Sequence, residues 1–130
     1  MFDLKLTVDF AMEQALRIEE RSPDVLAVDL NCGFVICFAN SQAENDTCIY
    51  FDGSTGGWHT HGDLFIEEGV GIELVPIEIL QGLMNGKMLV SKIEFPDGTV
   101  DISLEHSYTK FDLGSIENGE IQTFARMKTA

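Results

Sequence analysis

Apolar residues recur along this chain with two different periods, and the change from one to the other divides it into elements. Over residues 7–21, TVDFAMEQALRIEER, Val8, Ala11, Met12, Ala15 and Ile18 share one face at helical spacing. Glu13 and Arg17 stand as an i, i+4 pair on another face. The pattern predicts a first helix over about 8–21, with Thr7 as its cap and Asp9 near the positive end of its dipole. Ser22-Pro23 is the expected stop, because the residue before a proline avoids helical geometry.

From 24 to 52 the period shortens. DVLAVDLN, GFVICFA and DTCIYFD are short runs rich in β-branched and aromatic residues, separated by Asn31–Gly33 and by NSQAEND, and they predict two or three antiparallel strands. The middle run is apolar on both faces, as a central strand should be. DGSTGG (52–57) is a turn, WHTHG a short extended segment, and DLFIEEGVGIEL an acidic loop. Pro76 suits the first turn of a second helix over about 76–85, with Ile79, Leu80, Leu83 and Met84 as its buried stripe and Gly86 at its end. Gly82 inside that helix costs about 1 kcal/mol relative to alanine. MLVSKIEF, the turn Pro96-Asp97-Gly98 and TVDISLE then form a hairpin, in which Val100, Ile102 and Leu104 alternate with Asp101, Ser103 and Glu105. A last strand, EIQTFARM, follows Asn118-Gly119. The expected fold is α+β: one globular domain over 1–130, with two helices and a mostly antiparallel sheet of about five to six strands.

Composition fits that picture. The chain has 130 residues, 45% of them hydrophobic and nine of them phenylalanine, enough for a core without staples. No run of about 18 apolar residues predicts a membrane span. MFDLKLTVDF lacks the apolar centre of a secretory signal, so a cytoplasmic location is expected. Cys32, Cys37 and Cys48 are odd in number and show no Cys-X-X-Cys spacing, which reads as reduced thiols with raised pKa values in apolar strands.

Charge changes the picture most. Twenty-two acids against eight lysines and arginines give a net charge of −14. Such a field repels nucleic acid and anionic membranes and speeds encounter with basic partners. Between Ser22 and Gly86 there is no lysine or arginine, but there are ten acids: Asp24, Asp29, Glu44, Asp46, Asp52, Asp63, Glu67, Glu68, Glu73 and Glu78.

The candidate chemistry centres on GGWHTHGD (56–63). In a strand, His59 and His61 would point to one side about 6–7 Å apart, a spacing that suits a shared metal. His59, His61 and Asp63 are thus the ligands of an alternative reading, a small metal-dependent hydrolase. The stretch looks like the His-X-His-Pro segment of JAMM-type zinc isopeptidases. It departs from that pattern at Gly62, where the proline belongs, and it lacks the serine and the later ligand aspartate. No nucleophile elbow, phosphate loop or P-loop lysine occurs. The main expectation is therefore a protein that is not an enzyme and takes no cofactor.

A binding surface remains. Asp46, Asp52, Asp63, Glu67 and Glu68 flank segments that carry Tyr50, Trp58 and Phe65, and acidic rims with aromatic anchors suit a basic protein partner. The plainer alternative is a solvated acidic edge with those rings in the core. The small acidic α+β build, with CIYFDGSTGGWHTHGD as strand-turn-strand ahead of VPIEILQGLMNGK, resembles the immunity proteins of bacterial polymorphic-toxin and contact-dependent growth inhibition systems over roughly residues 33–95. The resemblance implies a cytoplasmic, stoichiometric inhibitor of one cognate toxin domain, often a nuclease whose phosphate-holding site is basic. The partner-binding residues expected on these grounds are Asp46, Asp52, Trp58, Asp63, Phe65, Glu67 and Glu68, with no nucleic acid and no membrane as partner.

Overall fold

The computed structural model describes residues 1–55, 57–66, 70–106 and 119–128; for 63–66, 70–72 and 106 it describes the backbone alone. The fold is α+β and mostly antiparallel, with two helices among the described residues, as the periodicities predict. The elements run α1 (Leu4–Glu13), β1 (Arg17–Ser22), β2 (Val25–Asp29), β3 (Val35–Ser41), β4 (Asp46–Phe51) and β5 (His59–Thr60). There follow β6 (Asp63–Ile66), β7 (Val70–Glu73), α2 (Pro76–Met84), β8 (Met88–Glu94), β9 (Val100–His106) and β10 (Ile121–Ala125). Strands β1 to β5 form one sheet in sequence order, β10-β8-β9 a second, and β6-β7 a separate hairpin. No helix among the described residues is long and apolar enough to cross a membrane.

The first helix departs from its prediction at both ends. It begins at Leu4, where Asp3 Oδ1 accepts the Lys5 amide at 2.9 Å, so Thr7 is no cap but a buried residue of the first two turns. It ends at Glu13 in a Schellman motif. Leu16 N–H reaches Ala11 O at 2.9 Å and Ala15 N–H reaches Met12 O at 3.1 Å, while Ala15 takes the left-handed conformation at φ 56°. The buried face is Leu4, Thr7, Val8 and Ala11, and Met12 is exposed.

Residues 17–22 are consequently a strand, and the predicted Glu13–Arg17 helical pair gives way to an Arg17–Asp29 contact of 3.8 Å along the sheet. RIEERS has good helical propensity, but antiparallel pairing with β2 overrides it. Ser22-Pro23 serves as the β1–β2 turn, with Asp24 N–H on Ser22 Oγ at 3.2 Å. Strand β1, together with the β6-β7 hairpin where an acidic loop was expected, raises the strand number above the predicted five to six.

One core joins the layers. Leu26, Val28, Ile36, Phe38, Ile49 and Phe51 from the first sheet meet Ile79, Leu80 and Leu83 of α2, and Val90, Ile102 and Leu104 of the second sheet. β3 is central and buries Ile36, Cys37 and Phe38, as its two-faced apolar run predicts. α2 starts at Pro76 as expected, and Glu78 Oε1 accepts the Val75 amide at 3.1 Å. Gly82 has a packing reason: a Cβ there would stand 2.9 Å from Met88 Cγ on the neighbouring strand. The two sheets are stitched by the turn after β4. Ser54 Oγ accepts the Ile102 amide at 3.1 Å and Thr55 Oγ1 the Val100 amide at 2.8 Å, so the free edge of β9 finds its partners there.

Candidate functional site

Strand alternation assigns the faces of the first sheet. The register aligns Glu19, Ala27, Cys37, Tyr50 and His59 across β1 to β5 on the face turned away from the core. Two residues along each strand, the same face carries Arg17, Arg21, Asp29, Val35, Ala39, Cys48 and Asp52. Asp46, Cys48 and Tyr50 are the outward half of β4, continued by Asp52 just beyond its end, and Thr47, Ile49 and Phe51 are its buried half.

A charged strap crosses this face. Arg21 of β1 holds Asp52, the residue after β4, through two bonds, one of them 2.8 Å from Nη1 to Oδ1. The pair lies over Cys37, whose Sγ is 3.5 Å from Arg21 Nη1 and 3.3 Å from Asp52 Oδ1. Arg21 holds the Asp52 carboxyl below the usual aspartate range, and Asp52 in turn holds Arg21 firmly protonated. Burial, followed by the hydrogen bond to Asp52, pushes the Cys37 thiol up to about 12. Desolvation also raises Cys48 and Cys32, so all three thiols are poor nucleophiles as expected, although Cys37 has a basic neighbour and Cys32 stands outside any strand.

Beside the strap, Glu44, Cys48, Tyr50, Trp58, His59 and His61 line an open groove. Trp58 is half-buried, and its ring packs on Phe51 with centroids 6.0 Å apart, so it belongs partly to the core and partly to the groove wall. His59 Nδ1 lies 3.0 Å from Gly57 O. His61 Nδ1 lies 2.9 Å from Asp46 Oδ2 and 3.0 Å from Thr47 O. The rings meet edge to face with centroids 5.3 Å apart. Thr47 anchors this corner: its buried hydroxyl donates to Asn40 Oδ1 and accepts the Phe2 amide at 2.9 Å.

Gly62 decides the fate of the third expected ligand. At φ +107° it turns the chain out of β5, and a Cβ there would stand 2.7 Å from Leu74 O. Asp63 therefore opens β6, opposite Glu73 in the separate hairpin, and does not extend the His59 strand. Among the described residues no three His, Cys, Asp or Glu side chains gather as for a metal ion.

Against known proteins the chain has no match: no family model fits it, and none of the curated proteins or solved structures compared is similar to it.

Of the expected partner-binding residues, the first sheet brings together Asp46, Asp52 and Trp58. Asp63 and Phe65 lie on β6, described by backbone only, and Glu67 and Glu68 lie outside the described residues. Several acids of the base-free segment have neighbours that a linear reading does not supply: Asp52 takes Arg21, Asp29 takes Arg17, Asp46 takes His61 and Glu78 caps α2. Arg21 and Cys37 were missed as site residues. The alternation of DTCIYFD marks the outward side of β4, but bringing Arg21 to it requires residues 17–22 to be a strand, which their charged sequence does not announce.

Proposed function

We propose that this is a non-enzymatic, cytoplasmic inhibitor of the immunity-protein type, which holds a basic, nuclease-like toxin domain against the outward face of the first sheet. The observation that carries the reading is that face itself. Val35, Ala39, Cys48 and Tyr50 form a strip of partly exposed apolar and aromatic side chains on a five-stranded scaffold, with the carboxylates of Glu19, Asp29, Asp46 and Asp52 around it. Aromatic and small apolar groups at the centre supply contact area, and the chain's net charge of −14 speeds encounter with a positive partner. The resemblance to immunity proteins adds the class of partner.

The test uses basic domains encoded by the genes that neighbour this one, each purified and offered to the protein as a candidate toxin. Binding is measured by calorimetry at several salt concentrations, for the unaltered protein and for Val35→Lys and Tyr50→Lys. We expect one-to-one binding that weakens as salt rises, and a loss of at least tenfold in each variant whose fold is intact by circular dichroism. Binding that ignores both lysines places the contact elsewhere, and no binding to any neighbouring product removes the reading.

A further inference from the structure

We infer that His59 and His61 form a two-imidazole chelate for a late first-row divalent cation, with Asp46 as the residue that orients it. The inference is independent of the partner proposed above, because it concerns the free protein.

Two observations carry it. The first is the hydrogen-bond state of each ring. A carbonyl and a carboxylate only accept, so Gly57 O fixes the proton of His59 on Nδ1, and Thr47 O with Asp46 Oδ2 fixes that of His61 on Nδ1. In the neutral rings the lone pair then sits on Nε2. This is the arrangement that metal-ligating histidines adopt, the far nitrogen held by a carboxylate or a backbone carbonyl.

The second is spacing. A metal sits about 2.0–2.1 Å from an imidazole nitrogen, hence about 3.2 Å from the ring centroid, and a tetrahedral angle places two such centroids about 5.2 Å apart. The observed separation is 5.3 Å. Strand β5 presents His59, the bend after it presents His61, and both rings open onto the groove beside Tyr50 and Cys48. Among the described residues neither Cys48 nor Glu44 gathers with the pair as a third ligand. Imidazole donors favour copper, nickel and zinc, and the expected order of affinity puts Cu²⁺ above Ni²⁺ and Zn²⁺.

The experiment uses full-length protein without an affinity tag, titrated with Cu²⁺ and with Zn²⁺ by calorimetry, alongside His59→Ala, His61→Ala and Asp46→Asn. Nitrogen-15 spectra of the imidazoles are recorded before and after Zn²⁺. We expect one ion per chain, Cu²⁺ bound more tightly, and a loss of tenfold or more in each alanine variant. Asp46→Asn should weaken binding about tenfold, the low end of such effects, because Thr47 O still accepts from His61. The spectra should show protonated Nδ1 in both rings of the free protein and a shift of both Nε2 signals with Zn²⁺. Protonated Nε2 in either ring of the free protein overturns the inference without recourse to any variant. So does binding that survives His59→Ala or His61→Ala unchanged.

Discussion

Asp52 shows how far one contact alters what a residue means. In the sequence it is a loop carboxylate at the margin of an acidic stretch; in the fold its charge is shared with Arg21 and its oxygen rests on a thiol. Its folded pKa is lowered, so its contribution to stability is present above the unfolded value of about 4 and is lost as pH falls through the folded value. Cys37 acts at the other end of the scale. Its folded pKa is raised, so its contribution is whole below the unfolded value of about 8.5. That contribution is lost as pH climbs toward about 12. Urea midpoints measured across pH should therefore fall more gently below pH about 4 in Asp52→Asn, and above pH about 8.5 in Cys37→Ala, than in the unaltered protein. Limbs of unchanged slope in both variants would remove the strap as a source of stability.

At the scale of elements, α1 carries the clearest lesson. Its C-terminus is fixed by a Schellman motif built on alanine, where the usual signal is glycine, so nothing in the letters marks the stop. The helical period then runs on by chance through Ile18, and a strand whose side chains are mostly charged has no alternation to announce it. By contrast β2, β3, β4, α2 and the β8–β9 hairpin were legible, because each is a compact apolar run or a clear one-faced pattern that closes with a recognisable turn or cap. The His pair was legible for the same reason of period, and its loss of Asp63 followed from a glycine whose φ the sequence does not print. The strap was not legible, since it joins β1 to the end of β4 and depends on sheet order. The left-handed Ala15 offers a test of the helix end. Alanine there costs about 1–2 kcal/mol in conformation, and glycine gives back about 0.4–1 kcal/mol in unfolded-state entropy. Ala15→Gly should thus stabilise the protein by about 0.5–1 kcal/mol in urea unfolding. A destabilised variant would show that α1 does not end in this motif.

For the molecule as a whole, the joint between the layers matters more than any single strand. Gly62 N–H bonds to Thr60 Oγ1 at 3.2 Å and Gly62 O accepts the Leu74 amide at 2.9 Å, so the chain leaves the first sheet and reaches α2 through one crowded point. Phe2 packs there as well, 3.4 Å from where a Cβ would stand. Gly62→Ala combines left-handed strain with a backbone clash and should cost about 2–4 kcal/mol, read as a lowered urea midpoint. Near-neutral behaviour would mean the joint is looser than its distances indicate.

The two ends of the first sheet have a consequence of their own. One edge strand, β5, is two residues long, and the other, β1, bristles with Arg17, Glu19, Glu20 and Arg21. Neither offers a foreign backbone a ladder to climb. Whatever this sheet recognises must be recognised by side chains standing on its outward face, and such a vocabulary is rewritten one substitution at a time while the grammar of the strands beneath stays as it is.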